Sequence, residues 1–328
     1  MARDHKSAER ACVKPPALRP GDTVGIVAPA SNIQREALEA GCGALAQLGY
    51  KPFFFDSILQ QDLYFAGLAD RRLRELHEMF ARPDVRAILC ARGGYGCNYL
   101  LPHLDLALIR SNPKIFAGYS DITSLLTYIH DATGLVTFHA PMIAKDFANA
   151  DGIDEHSWKA ALEGWSEWEL GTRSGMRGLV DGEAEGLLYG GCLSMLAASL
   201  GTPYEIHTTG TILFLEDVAA KPFQIDRMLM QLKLAGKFDD IRGIIFGEML
   251  DCVQHRDQPY TLGEVVTRVV EDLGVPVAYG LRSGHVSSRN ITLPLGIHVA
   301  LRAQGNDSTF SFREAAVIPA QKPNVVRA

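Results

Sequence analysis

Apolar residues fall along this chain in two spacings. Short unbroken runs rich in Val, Ile, Leu and Phe occur at residues 23–28, 51–55, 85–89, 114–118 and 135–138. Runs of that length without polar alternation predict strands of a parallel sheet covered on both faces. Between them, residues 34–48, 69–80 and 121–131 carry apolar positions at helical intervals. Strands and helices alternating in this way predict an open α/β sheet. The texture changes after about Trp168, and residues 171–182 are polar and glycine-rich, which predicts a seam. Strand-like runs resume at 184–189, 211–215, 241–246 and 275–278, with a helical stretch at 223–234. From Asn290 onward the short segments 291–293, 298–301 and 309–312 predict hairpins or a small barrel-like sheet. The expected organisation is an N-terminal α/β domain over 1–168, a linker over 169–183 and a C-terminal α+β domain over 184–328.

Composition narrows the partners. The chain has 328 residues, 47% of them apolar, so two cored domains are within reach. A net charge of −6, spread along the chain, argues against nucleic acid or an anionic membrane. No apolar run approaches the ~20 residues that span a bilayer. Residues 1–20 lack the apolar stretch of a secretory signal, so a cytoplasmic location is expected. Cys12, Cys42, Cys90, Cys97, Cys192 and Cys252 are scattered, with no Cys-x-x-Cys pair, and are expected as free thiols. No His-Glu-x-x-His or His-x-x-x-His spacing occurs, so neither metal nor cofactor is expected.

Four segments concentrate the chemistry. In 114–118 a strand ends at Gly118, Ser120 stands at the turn, and a helix starts with Asp121 in its first turn. Ligands of open α/β sheets bind at such strand ends, where a helix N-terminus offers free N–H groups. Ser120 is therefore a candidate nucleophile and the Asp121 N–H a candidate oxyanion donor, with simple helix capping as the competing role. Ile122 stands where a nucleophile elbow has its second glycine, which sets the segment apart from the α/β-hydrolase signature. Arg92-Gly93-Gly94-Tyr95-Gly96 follows another strand and can bring backbone N–H groups to a ligand; Cys90 beside it is an alternative nucleophile. Glu216 and Asp217 end a buried strand. His285 lies in a Gly/Ser-rich loop, and His139, His130, His103 and His255 compete with it as base, His139 most strongly because it follows a sheet strand.

Taken in order, Gly25-Ile26-Val27-Ala28-Pro29-Ala30-Ser31, Arg92-Gly93-Gly94-Tyr95-Gly96, Gly118-Tyr119-Ser120-Asp121-Ile122-Thr123, Gly190-Gly191-Cys192-Leu193-Ser194, Leu213-Phe214-Leu215-Glu216-Asp217 and Ser283-Gly284-His285 resemble the LD-carboxypeptidase family. The resemblance runs from about residue 20 to 315. It implies a serine peptidase with the triad Ser120, His285 and Glu216, and a class I glutamine amidotransferase-like N-terminal domain. It further implies a C-terminal domain with a small β-barrel, and a homodimer. The implied reaction releases terminal D-alanine from murein tetrapeptides. Cys192 departs from the asparagine usual at that place in the family.

Within that frame the N–H groups of Gly94 and Asp121 are expected to form the oxyanion hole. Arg92 and Tyr95 are expected to touch substrate, Arg92 as a cation for the free carboxylate. Ser120 Oγ is expected near an imidazole nitrogen, in a cleft between the domains. Some members of the family resemble microcin C immunity peptidases and cleave aminoacyl-adenylate-like compounds. Trp158, Trp165 and Trp168 are candidates for the aromatic surface such a ligand needs, although their spacing equally fits packing. A ligand-binding protein without catalysis is the remaining alternative.

Overall fold

Each unbroken apolar run of the N-terminal half is a strand. The computed structural model describes residues 12–171, 174–253 and 259–319. It places β1 (Thr23–Val27), α1 (Arg35–Gln47), β2 (Lys51–Phe53), α2 (Ala69–Ala81), β3 (Val85–Cys90), α3 (Leu106–Ser111), β4 (Ile115–Gly118), α4 (Thr123–Thr133), β5 (Thr137–His139) and α5 (Glu155–Glu163) in succession. The C-terminal half adds β6 (Trp168–Leu170), β7 (Arg177–Val180), β8 (Gly182–Cys192), α6 (Leu193–Ser199), β9 (Thr211–Glu216), α7 (Pro222–Leu234), β10 (Gly243–Gly247), α8 (Leu262–Val270), β11 (Val277–Leu281), β12 (Leu293–Leu295), β13 (His298–Ala303) and β14 (Thr309–Phe312).

Two mixed sheets result. The first has the order β12-β5-β4-β3-β1-β2, parallel except for β12, which runs antiparallel to β5. The second has the order β6-β14-β13-β8-β9-β10-β11-β7. Its centre, β8 to β11, is parallel, and antiparallel strands flank it on both sides. The first half of β8 pairs with β13 and its second half with β9, so this long strand carries the change of sheet character.

Three expectations need correction. The segment expected at 291–293 is not part of a C-terminal hairpin. Its last residue opens β12, Leu293–Leu295, which crosses to the edge of the first sheet with Leu293 opposite His139. Residues 169–183 are not a free linker, since β6 and β7 lie there and form the two outer edges of the second sheet. Among the described residues the ladder runs openly from β6 to β7, and no closed barrel forms.

This topology brings the candidate residues together. The loop joining β11 to β12 leaves the second sheet and enters the first, and His285 lies on it. Ser120 follows the carboxyl end of β4 and Glu216 ends β9, so strand ends of both sheets meet at one place. Thr123 ties the two sides together by accepting the Cys192 N–H on its hydroxyl at 3.1 Å.

Candidate active site

Ser120 has a backbone φ of +65°, a left-handed conformation that non-glycine residues seldom hold. It opens a short 3-10 turn, Ser120–Ile122, that runs into α4. Such strain persists only where the surroundings enforce it, and it clusters at functional sites. Gly93 packs against the serine so closely that a Cβ there would lie 2.7 Å from Ser120 Cβ and 3.3 Å from the Asp121 N. The Arg92–Gly96 loop therefore forms one wall of the serine's surroundings. Arg72, buried in α2, holds that loop: one guanidinium nitrogen donates to Pro29 O at 2.5 Å and to Gly96 O at 2.9 Å.

Glu216 is fully buried, and its Oε2 accepts two hydrogen bonds from His285, one from Nδ1 at 2.8 Å and one from the backbone N–H at 3.0 Å. A carboxylate can only accept, so Nδ1 carries the proton and Nε2 is left as the basic nitrogen. Burial by itself raises the Glu216 carboxyl, but the neighbouring His285 and His139 imidazoles outweigh it and hold the group well below its ordinary range. The loop is fitted around the acid: a Cβ on Gly284 would stand 2.6 Å from the Glu216 carboxyl carbon. Asn290 closes the loop by accepting the Gly284 N–H at 2.9 Å and donating to Gly284 O at 3.0 Å. The Tyr119 ring meets the His285 ring edge-on, with centroids 5.0 Å apart. Among the described residues no hydrogen bond joins Ser120 Oγ to His285. Such contacts commonly tighten only when substrate is bound.

The competing candidates go elsewhere. His139 lies behind Glu216, with Nε2 3.7 Å from Oε1 and Nδ1 3.1 Å from Ser283 Oγ. His130 is tied by Nδ1 to Leu135 O at 3.0 Å, His103 sits in a 3-10 turn, and His255 lies outside the described residues. Cys90 is fully buried, which pushes its thiol well above the ordinary value and removes it as a nucleophile. Asp217 faces away from His285, accepting the N–H of Ser194 at 2.8 Å and of Val218 at 2.8 Å. The Asp121 carboxylate is buried and accepts the Cys97 N–H at 2.8 Å. Arg92 is exposed and donates to Asn32 O at 3.2 Å. Tyr95 is 41% exposed and is anchored by its N–H to Ser31 Oγ at 3.1 Å.

The tryptophans do not form a ligand surface. Trp158 is fully buried against Phe147, and Trp168 stacks on Phe312 at 3.8 Å; only Trp165 is exposed. Exposed aromatic surface is found instead at Tyr64, Tyr95 and Tyr99, on and beside the Arg92–Gly96 loop. Tyr119, Ser283 and Arg72 escaped sequence reasoning because each acts on a partner far along the chain, whereas Asn290 acts only six residues away, on Gly284. One signal existed for Asn290, a polar residue between the Gly/Ser-rich loop and an apolar run. Among the described residues one trio offers possible metal donors, Cys192, Glu216 and His285, within 4.8 Å of one another. Glu216 Oε2 and His285 Nδ1 are already paired with each other.

Comparison with known proteins fits this geometry. Family models described as the LD-carboxypeptidase N-terminal and C-terminal domains match residues 24–140 and 185–301. The chain belongs to the LD-carboxypeptidase family. Membership makes it a serine-type carboxypeptidase, a hydrolase. A probable murein peptide carboxypeptidase of Bacillus subtilis is 42% identical over 291 residues, 88% of this chain and 91% of that protein. The microcin C7 self-immunity protein MccF of Escherichia coli is 30% identical, covering 87% of this chain and 91% of its own. The crystal structure of a muramoyltetrapeptide carboxypeptidase from Oxalobacter formigenes superposes with a TM-score of 0.80 at 28% identity, over 91% of this chain and 100% of that one.

Proposed function

We propose that this carboxypeptidase releases the terminal D-alanine of murein tetrapeptides through a Ser120–His285–Glu216 triad. The observation that carries the reading is the buried Glu216–His285 pair, set at the same junction as a serine in a strained turn. A serine hydroxyl is a weak nucleophile until a base removes its proton. His285 Nε2 is free for that step, because Nδ1–H is held by Glu216. Attack on the amide carbonyl gives an oxyanion, for which the N–H groups of Gly94 and Asp121 are the proposed donors. His285 then protonates the leaving D-alanine nitrogen, and water cleaves the acyl-enzyme by the reverse proton path. Arg92, exposed at the mouth, is suited to the free α-carboxylate, and Tyr95 with Tyr64 and Tyr99 to a ring or apolar part of the substrate. A cytoplasmic homodimer acting in cell-wall recycling is part of the same proposal.

The test is release of D-alanine from a purified murein tetrapeptide by the wild type and by Ser120→Ala. Release by the wild type and none by the variant is the expected result, and equal turnover would sink the triad. A parallel assay with an aminoacyl sulfamoyl adenylate addresses the second reading, which the similarity to the microcin C7 self-immunity protein and the exposed tyrosines favour. Cleavage of that compound with an intact tetrapeptide would transfer the assignment to it.

A further inference from the structure

Glu216 uses only one of its two oxygens on His285. The other, Oε1, is fully buried without a hydrogen-bond partner, and so is His139 Nε2, 3.7 Å away. Two buried, orphaned polar atoms facing each other are costly unless a proton lies between them. The proton count is set on the far side of the ring. Ser283 Oγ has a single hydrogen and donates it to Ile291 O at 2.8 Å. It can therefore only accept at 3.1 Å from His139, so His139 Nδ1 must donate. If Nε2 were bare, its lone pair would face a carboxylate lone pair. Two rings also flank His139: Phe214 with centroids 5.1 Å apart and Tyr119 at 5.8 Å.

We propose that His139 is a positioning residue protonated on both ring nitrogens, pairing with Glu216 Oε1 while His285 pairs with Oε2. The acid of the proposed triad is thus held between two imidazoles, one charged and one neutral. The charged one offsets the carboxylate in a fully buried site, where an uncompensated charge is expensive. It also fixes the carboxylate plane, so that Oε2 stays in line with both His285 N–H groups. The short approach needed to turn 3.7 Å into a hydrogen bond is within the reach of a glutamate side chain. The depressed Glu216 carboxyl agrees with an imidazole donor at each of its two oxygens.

This inference rests on the proposed triad, and one arm of its test is independent of turnover. Selective 15N labelling of histidine, read by NMR without substrate, is expected to show two ring protons on His139 in the wild type. One of them should be lost in Glu216→Gln. In the kinetic arm, His139→Phe is expected to lower kcat by about 10–100-fold, the scale on which partners that orient a functional histidine act, with KM little changed. His139→Gln, which keeps an amide donor near the Nε2 position, should recover part of the loss. In a Glu216→Gln background the His139→Phe change should cost nothing further. A single ring proton on wild-type His139, or a His139→Phe loss that repeats in full without the Glu216 charge, overturns the proposal. Absence of tetrapeptide turnover by the wild type would count against the substrate assignment and leaves the NMR arm decisive for His139.

Discussion

Two acids stand side by side at the end of β9, and their environments divide the labour. Glu216 points to His285 and is held ionised by it, whereas burial, joined by the Glu216 charge, raises Asp217 above the ordinary carboxylate range. Successive strand residues face opposite ways, so one of the two had to be lost to the site. Asp217 instead caps α6 through the Ser194 N–H. Glu216→Gln should lower turnover by about 10²–10⁴-fold by analogy with other triads, with a small change in KM. Asp217→Asn should leave turnover nearly intact and lower stability by about 1 kcal/mol, the usual value of a cap. Steady-state kinetics and urea unfolding of both variants check the division, and the reverse ranking of turnover would refute it. The residue types were legible in the sequence, because Ser120 and the Arg92–Gly96 loop announce themselves through turn chemistry at strand ends. The choice between His139 and His285 was not. Both follow strands in the sequence, and only the crossing of β12 to β5 sets one of them behind the acid.

At the scale of elements, two buried cations tie helix α2 to its surroundings. Arg72 bonds Gly67 O at 3.2 Å as well as Pro29 O and Gly96 O. Those carbonyls lie in three separate loops, which is why helical periodicity could not reveal the site. Arg72→Met keeps the stem and strands the carbonyls, each at a cost of about 1–3 kcal/mol if it stays dry. The expected outcome is a loss on the order of 3 kcal/mol, with a fall in kcat/KM as the loop against Ser120 loosens. Stability unchanged in thermal and urea melts would refute the staple. Lys114, at the entry to β4, donates to Met79 O at 2.8 Å and to Arg82 O, closing the last turn of α2. Burial lowers its pKa from 10.5 to about 8. Between those values the unfolded chain holds the proton and the folded one does not, so this group adds stability as pH rises. Measured by urea unfolding at pH 8 and pH 10, the wild type should gain relative to Lys114→Met. A difference that stays flat or shrinks with pH contradicts the assignment.

For the whole molecule, the question is whether two sheets make two folding units. The apolar runs predicted the strands of the first sheet and the central ones of the second, though not its edges β6 and β7, because unbroken Val, Ile and Leu segments need cover on two faces whichever sheet they join. They did not predict ownership, since a strand as short as β12 carries no record of its partner. In the structure the sheets are not independent. One apolar core holds Phe116 and Phe138 of the first sheet together with Leu188, Phe214 and Phe310 of the second. The chain also passes from β11 in one sheet to β12 in the other across the loop that carries His285. Opening the seam would expose that shared core and strip β5 of its antiparallel neighbour, leaving an unpaired edge beside His139. A partly unfolded state with one sheet intact would therefore lose much of what stabilises that sheet. Unfolding is expected to be a single cooperative transition despite the two-domain layout. Far-ultraviolet circular dichroism and tryptophan fluorescence should give coincident urea curves, with Trp158 and Trp168 buried on opposite sides of the junction. Hydrogen exchange should protect the amides of β12 as strongly as those of β4. Two resolved transitions, or β12 amides exchanging while β4 stays protected, would show that the sheets fold separately and that the His285 loop is a hinge.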